Sequence, residues 1–397
     1  MKPDFKPAIS PAVQIGLVGF ALIAICYGFA RFAFGLLLPQ IDAELSLGPT
    51  VSGVISGGSF LGYCLFIIIS AIATERHGAR VVATAAACVA AVGMAGIAVA
   101  PDAVWLAVAV MIAGASTGLA SPPMAAAVAV AVRRDRQDMT NTVINAGTSV
   151  GVMLSWPIAL MIGGQWRLVF AVFAGAAIIL TIALIRTIPR GTKAAATQAK
   201  GGMPSLKGDV ARLICAAFLM GAASTAIWSF GGQLARMQLD LGESGSGALW
   251  VAIGIGGIAG AWAGAFVARF GINRVHWAFL ALMAIGILAA GTGTFMAVTF
   301  AGGVLFGGAY VTLTGVYLVW GVRALRDRPA TGLMIGFLTI AIGQTAGAPV
   351  FGFLLDRMGP DRAVVIFACL GLLAGTMRTR KTRVAVDPEI RRATPTG

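Results

Sequence analysis

Charged side chains are scarce in this chain. Asp, Glu, Lys and Arg together make up 11% of the residues, whereas soluble globular domains carry about a quarter. Hydrophobic residues make up 58%, and apolar runs recur along nearly the whole length. The composition therefore excludes a soluble domain, and the long runs favour spanning helices over a β-barrel, whose strands are short and alternating. We predict an all-α membrane protein.

Groups that bind metals or carry protons are almost missing from the apolar runs. The five cysteines are isolated and form no C-x-x-C motif, and we expect both histidines, His77 and His276, in loops. No metal site and no cofactor are therefore predicted. All fifteen Asp and Glu residues fall in predicted loops, linker or tails, so the buried carboxylate that usually carries protons in pumps is lacking. The same scarcity disfavours an intramembrane enzyme.

Positive charge is abundant but unevenly placed. The formal net charge is +14, and 24 of the 29 Lys and Arg residues fall on one side of the predicted membrane topology. The other side holds four of them, and the last, Arg31, lies inside an apolar run. By the positive-inside rule, we expect a multi-pass protein of the inner membrane with both termini in the cytoplasm. The basic excess thus indicates topology and contact with the lipid bilayer, and no nucleic-acid partner.

The apolar runs predict twelve membrane-spanning helices. The first six cover residues 12–38, 50–73, 81–100, 103–125, 141–162 and 168–188. The second six cover residues 213–234, 246–267, 275–290, 296–320, 330–355 and 360–377. A polar, basic stretch separates the two sets. We therefore predict an N-terminal six-helix bundle at 1–189, a cytoplasmic linker at 190–209, and a C-terminal six-helix bundle with a basic tail at 210–397.

An internal repeat supports two related halves. Three short patterns recur at offsets of 193–196 residues: Arg76-His77-Gly78 with Arg269-Phe270-Gly271, Leu45-Ser46-Leu47-Gly48 with Leu239-Asp240-Leu241-Gly242, and Gly147-xxx-Gly151 with Gly343-xxx-Gly347. Three patterns at nearly one offset indicate a duplicated bundle. Two parallel halves with a site between them are the plan of one large class of transporters.

These residues resemble the major facilitator superfamily of transporters. Its signature between helices 2 and 3, an acidic residue followed by R-x-G-x-R, stands here as Glu75-Arg76-His77-Gly78-Ala79-Arg80, with Glu for the usual Asp. The glycine-rich helix 5 of proton-linked exporters is matched by Gly147, Gly151 and Pro157, although Trp156 replaces the usual glycine before the proline. Within the family, the chain is most similar to sugar-efflux-like or cyanate-permease-like carriers of bacteria. The resemblance implies two six-helix bundles that rock about a central cavity.

Arg31 is the one charge deep inside a predicted helix. A charged residue at this depth costs about 2.5 kcal/mol or more, so it persists where it faces a water-filled cavity or a partner. We interpret Arg31 as an anion-binding or gating charge in a central cavity. The alternative is a structural arginine bonded to backbone carbonyls or helix ends. A planar fork of donors suits a carboxylate or another strong acceptor.

Other polar residues extend the predicted site. Together with Arg31, the candidates for contact with a solute are Tyr27, Tyr63, Asn145, Trp156, Trp228, Gln233 and Tyr317. The alternative is that polar residues of this kind serve only to hold helices together. By the family resemblance, the residues expected to act in gating are Glu75, Arg76, Gly78, Arg80, Gly147, Gly151, Pro157, Gly343 and Gly347.

The sequence thus predicts a secondary active transporter and no enzyme. Its partner is a small organic solute, expected to be anionic, which crosses the membrane by alternating access. Proton-coupled efflux of drugs or sugars is an alternative, and a membrane sensor without transport is another. Protons as a coupled ion and the direction of transport stay open, and we expect a monomer.

Overall fold

The described residues of the N-terminal half form six helices. The computed structural model describes residues 10–190, 207–239, 242–292 and 295–379. Helix α1 runs over Pro11–Leu45 and includes a π-helical segment at Ala24–Phe32. The others are α2 (Gly48–His77), α3 (Ala79–Ala98), α4 (Ala103–Ala131), α5 (Arg134–Met161) and α6 (Trp166–Thr187).

In the C-terminal half, the part of the chain that the structure describes also forms six helices, two of which are broken. Helix α7 is divided into α7a (Asp209–Trp228) and α7b (Gly231–Gln238), and α8 into α8a (Gly242–Ala259) and α8b (Ala263–Phe270), joined by a 3-10 turn. Unbroken helices follow: α9 (Ile272–Thr292), α10 (Met296–Ala324) and α11 (Pro329–Met358). Helix α12 (Pro360–Leu373) ends in a 3-10 turn at Ala374–Thr376.

Most of the helices are long and apolar enough to cross a membrane. Among the described residues, ten helices meet that description, and the two parts of α8, which bend by 50°, add an eleventh when they are taken as one span. Helix α12 is shorter, and the 3-10 turn at Ala374–Thr376 extends it at its C-terminal end. Large apolar side chains such as Ile69, Val104 and Ile179 are exposed on the outside of the bundle. Because water does not favour such a surface, these side chains face lipid. The predicted all-α membrane fold is confirmed.

Both halves use the same glycine-mediated helix crossing. In the N-terminal half, a Cβ on Gly151 would meet the backbone of Ala24 in α1, and one on Gly147 would meet the carbonyl of Phe20. In the C-terminal half, Gly347 and Gly343 of α11 lie in the same way against α7a. Glycine allows two helix backbones to come this close. The repeat in the sequence therefore corresponds to a repeated contact, α1 with α5 and α7a with α11.

The turn after the second helix is also repeated. Gly78 ends α2 with φ of 86°, and Gly271 ends α8b with φ of 79°. Residues with a Cβ rarely adopt a positive φ, whereas glycine does so at little energetic cost. The two glycines of the repeated sequence pattern therefore form equivalent turns.

Several predicted helix boundaries are wrong, and so are the loop assignments of both histidines. Helix α4 continues to Ala131 instead of ending at 125, α7 is broken after Trp228, and His77 is the last residue of α2. The apolar run predicts an end of α1 at residue 38, yet the helix continues through Pro39 to Leu45, where Ser46 takes a left-handed conformation. Pro39 removes one backbone hydrogen bond from the helix, and the burial of Ile41 in the core offsets that loss of stability. Helix α5 starts at Arg134 instead of 141, because its first two turns are polar and escape an apolar criterion. His276 lies in α9, where it is buried, and not in a loop.

The two halves meet closely at one end of the bundle. We call this end the closed face; it carries the connections from α1 to α2, α5 to α6 and α11 to α12. There, a Cβ on Gly35 would overlap the Trp228 carbonyl oxygen, and Ser56 Oγ donates to Ser229 Oγ over 2.7 Å. Gly247 also packs directly on the ring of Trp156. The other end, which carries the Arg-rich connections from α2 to α3 and from α4 to α5, we call the basic face.

Candidate functional site

A cavity lies between the two halves. Its volume is about 380 Å³, and 25 of the described residues, drawn from both halves, line it. Three of the polar lining residues, Arg31, Tyr310 and Gln344, lie near the midpoints of α1, α10 and α11. A volume of this size is within the range of small-molecule pockets, about 300–1,000 Å³. The position at mid-depth between related halves is where secondary transporters bind their solutes.

Arg31 reaches this cavity from an irregular part of α1. The segment Ala24–Phe32 is π-helical and contains both Tyr27 and Arg31. Such segments are rare and frequently found at functional sites. Gly28, within the segment, lies so close to Gly151 of α5 that no Cβ would fit. The tight crossing with α5 thus holds the segment while Tyr27 and Arg31 line the cavity.

Aromatic rings surround the Arg31 guanidinium. Its Cζ lies 4.6 Å from the ring centre of Phe60, 4.8 Å from that of Tyr63 and 5.1 Å from that of Phe32. The Tyr27 ring is 5.8 Å away. Aromatic faces attract a cation, with about 0.5–2 kcal/mol for each favourable contact. Among the described residues, no carboxylate forms an ion pair with Arg31, so the positive charge of the cavity wall is not neutralised.

The hydrogen bonds of Arg31 are incomplete. Only 6% of the residue surface is exposed, and Nη2 donates to Gln344 Oε1 over 2.8 Å. Within the part of the chain that the structure describes, the buried Nε has no hydrogen-bond partner. A buried neutral donor without a partner costs about 1–3 kcal/mol of folding free energy, and a donor on a charged group costs more. Arg31 therefore has donor capacity left for a ligand.

Gln344 connects Arg31 to the C-terminal half. Since arginine can only donate, Gln344 directs its amide oxygen toward Arg31. Its Nε2 donates to Tyr310 OH over 3.1 Å and to Ser224 Oγ over 3.2 Å. Gln344 is fully buried, and its amide oxygen accepts from the other half of the molecule. The Arg31–Gln344 hydrogen bond therefore links the two halves across the cavity.

The two walls of the cavity differ in chemistry. Of the described lining residues, ten come from the N-terminal half, and eight of these are polar, including Thr142, Asn145, Thr148 and Ser149 along α5. The other fifteen come from the C-terminal half, and three of these are polar: Tyr310, Thr314 and Gln344. The remaining twelve are glycines or apolar residues of α8, α10 and α11. The cavity thus has one polar, cationic wall and one mostly apolar wall.

The structure brings together four of the eight predicted solute contacts. Tyr27, Arg31, Tyr63 and Asn145 line the cavity. Trp228 lies behind the wall, stacked 4.0 Å from the ring of Phe32. The roles of these five residues in solute binding stay predictions.

The other predicted contacts lie outside the cavity lining. Trp156 packs on Gly247 at the closed face, and Gln233 lies in α7b with its Oε1 buried and unpartnered among the described residues. Tyr317 is fully buried, bonded to His276 Nε2 over 3.0 Å and to the Ala216 carbonyl over 3.3 Å. Trp156 and Tyr317 contact other helices, and the roles of all three residues in solute binding stay predictions.

The residues predicted to act in gating fall into two groups. At the basic face, Glu75 and Arg76 lie in the last turn of α2 and Gly78 connects α2 to α3. Arg80 lies in the first turn of α3 and donates to the Ile185 carbonyl of α6. The glycines Gly147, Gly151, Gly343 and Gly347 pack helices within each half, and Pro157 lies inside α5 near the closed face. Whether these residues act in gating stays a prediction.

Sequence reasoning missed Gln344, the π-helical segment and the role of Tyr310 as a partner of Gln344. One signal for Gln344 was present, because an amide in the middle of an apolar helix is costly and needs a partner. Its proximity to Arg31, 313 positions away in the chain, depends on how the halves pack against each other, which no local pattern contains.

The sequence is similar to those of known transporters. A model of the Major Facilitator Superfamily matches residues 20–341. A purine ribonucleoside efflux pump of Salmonella enteritidis, NepI, is 22% identical over 250 residues. That match covers 61% of this chain and 62% of the pump, so the chain spans less than two thirds of this curated relative.

Solved structures share the fold. The nucleoside transporter NupG superposes with a TM-score of 0.73 at 14% identity, over 93% of this chain and 98% of NupG. The xylose transporter XylE of E. coli, in a partially occluded inward-open conformation, gives a TM-score of 0.74 at 16% identity, over 92% and 96% of the two chains. The family model covers most of the sequence and the fold agrees, so this protein belongs to the Major Facilitator Superfamily of membrane transporters.

Proposed function

We propose that this transporter moves a small organic anion through the central cavity by alternating access. The observation that carries the proposal is Arg31, a buried cation that lines the cavity without an ion-pair partner among the described residues. Leaving a charge unpaired in a dry interior is unfavourable. An anionic solute would neutralise Arg31 and supply acceptors for its free donors.

The contacts between the halves support alternating access. At the closed face, the halves are held by hydrogen bonds and by glycines packed on backbone, such as Gly232 on the Gly35 carbonyl. Rocking of one half against the other would separate these small contacts without unfolding a helix. With the positive-inside rule, the basic face lies in the cytoplasm, and the cavity in this state is shut off from the opposite side.

A neutral solute is the second candidate. The relative named above transports purine ribonucleosides, and the cavity of this chain contains the rings of Tyr27, Tyr63 and Tyr310. Aromatic rings of this kind stack on flat bases. A nucleoside would satisfy Arg31 with a carbonyl or ring nitrogen instead of a charge.

Transport in proteoliposomes tests the proposal. We would measure uptake of benzoate, D-gluconate, adenosine and xylose by purified protein, with and without an imposed pH gradient. We expect uptake of a carboxylate that Arg31→Ala lowers at least thirtyfold, because losing one partner of a buried charge pair costs about 2–5 kcal/mol. Arg133→Ala is the control, since that side chain is 85% exposed on the surface.

The competing outcomes are distinct. Uptake of adenosine or xylose without uptake of a carboxylate would contradict the anionic class. Carboxylate uptake that is unchanged in Arg31→Ala would remove Arg31 from the site. A dependence of uptake on the pH gradient would favour proton coupling, and independence would favour uniport or exchange.

A further inference from the structure

We propose that the cavity binds a monocarboxylate with an apolar body, and that its carboxylate takes the place beside Arg31 that the Gln344 amide oxygen occupies in this structure. This inference rests on the proposed transport of an organic anion and specifies the solute and its binding mode. Two features carry it: the half-occupied donor edge of Arg31 and the unequal walls of the cavity.

The donor edge of Arg31 fits one carboxylate. Nε and Nη2 of an arginine point in parallel and together bind both oxygens of a carboxylate. Here Nη2 already donates to the amide oxygen of Gln344, and the buried Nε has no partner among the described residues. An amide presents a single oxygen, so it satisfies only one of the two donors. A carboxylate that displaced Gln344 Oε1 would satisfy both and would also bring the missing negative charge.

Displacement leaves Gln344 with its other partners. Its Nε2 donates to Tyr310 OH and Ser224 Oγ, and both belong to the C-terminal half. The side chain therefore stays attached to that half when the bond to Arg31 breaks. Solute binding would thus exchange a hydrogen bond between the halves for a bond between one half and the solute.

The apolar wall defines the rest of the solute. Opposite the polar wall, α8 and α10 present Ile258, Val311, Leu318 and Val319, and α11 adds Phe337 and Ile340. A hydroxylated body such as that of a sugar acid would lose its hydrogen bonds to water against this surface. A hydrocarbon body has no hydrogen bonds to water to lose, and burying its apolar surface against this wall is favourable. The wall therefore selects against polyhydroxylated anions.

Binding to the unaltered protein gives the first test. We would titrate purified protein with benzoate, with benzamide as the uncharged analogue of the same shape, and with D-gluconate as a carboxylate with a polar body. We expect benzoate to bind at least thirtyfold more tightly than either. Equal binding of benzoate and benzamide would overturn the carboxylate, and tighter binding of gluconate would overturn the apolar body.

Two variants of Gln344 test its role as a placeholder. Gln344→Glu puts a carboxylate of nearly the same shape beside Arg31, so we expect benzoate binding to fall at least a hundredfold while the melting temperature rises. Gln344→Ala removes the competing oxygen, so we expect benzoate to bind as well as in the wild type or up to tenfold more tightly. Unchanged binding in Gln344→Glu, or a loss beyond tenfold in Gln344→Ala, would overturn the placeholder.

Failure of this inference differs from failure of the proposed function. If gluconate binds and is transported in an Arg31-dependent manner while benzoate does not bind, the carrier moves anions, but the inference that the solute has an apolar body is wrong. If neither carboxylate binds and adenosine does, the anionic function itself fails. The titrations of the wild type do not depend on any variant folding.

Discussion

The two halves of this transporter share a backbone plan but present different walls to the solute. Within each half, glycines bring the fifth helix onto the first: Gly147 and Gly151 lie on α1, and Gly343 and Gly347 lie on α7a. At the cavity, however, the N-terminal half is mostly polar and carries Arg31, and the C-terminal half is mostly apolar.

This difference separates the contacts that hold the helices of each half together from the surfaces that recognise the solute. Backbone crossings tolerate only residues without a Cβ, so both copies of the duplicated unit keep glycine there. The cavity surface has no such steric demand, and each copy is free to carry different side chains. Recognition of a solute with two chemically distinct ends follows from the unequal walls.

The largest expected effect comes from filling the shared crossings. Gly151→Leu and Gly347→Leu would each push a side chain into the backbone of the neighbouring helix. We expect each to destabilise the protein by at least ~3 kcal/mol, seen as loss of monodisperse protein in gel filtration and a lower melting temperature. If only one half proves sensitive, the two crossings are not equivalent.

The next effect concerns space in the cavity. Gly264 lines the cavity, and a Cβ there meets no atom within 4 Å. We expect Gly264→Leu to lower benzoate uptake at least tenfold by filling the cavity, with the fold intact. Gly175→Leu in α6 is the matched control, because its site is equally open and lies outside the cavity lining. Equal uptake by the two variants would place the solute elsewhere.

A reciprocal exchange tests the walls themselves. Leu318→Asn places an amide on the apolar wall, and Asn145→Leu removes one from the polar wall. We expect the first to weaken benzoate binding about tenfold, a change of ~1.4 kcal/mol, and to favour gluconate. The second should weaken gluconate binding about fivefold, through one lost hydrogen bond of ~1 kcal/mol. If the preference for benzoate over gluconate moved in the same direction in both variants, the division of roles between the walls would be contradicted.

The smallest effect on transport is expected at Tyr317. Tyr317→Phe removes the hydroxyl that joins His276 to the Ala216 carbonyl, so unfolding should become easier by about 1–3 kcal/mol. Benzoate uptake should stay within twofold of the wild type, because Tyr317 is not in the cavity lining. Tyr310→Phe, in the same helix but in the lining, should change uptake more. A loss of benzoate uptake greater than twofold in Tyr317→Phe would indicate that Tyr317 contributes to the solute site.

Much of the fold was predictable from the sequence, because it depends on local chemistry. Apolar runs define the spans, and Gly78 and Gly271 mark turns that only glycine adopts easily. The start of α5 escapes this reasoning because Arg134 and the residues after it are polar yet helical. The linker at 190–209 stays a prediction, since residues 191–206 lie outside the described ranges.

The candidate site was predictable only in part. Arg31 was recognisable because a lone charge in an apolar run is costly and needs a reason. Tyr317 shares a helix face with Tyr310, seven positions before it, but packs against His276 while Tyr310 reaches the cavity. Gln344 meets Arg31 only when the two halves assemble. Contacts between distant segments depend on helix rotation and depth, which periodicity does not determine.

The most direct test is a structure of the protein with 4-iodobenzoate. The iodine atom locates the apolar end of the ligand, and the carboxylate lies opposite it. We predict that the carboxylate oxygens lie about 2.7–2.9 Å from Nε and Nη2 of Arg31, with Gln344 displaced and iodine against α8 and α10. A carboxylate directed at the hydroxyls of α5, or a ligand outside the cavity, would contradict the account.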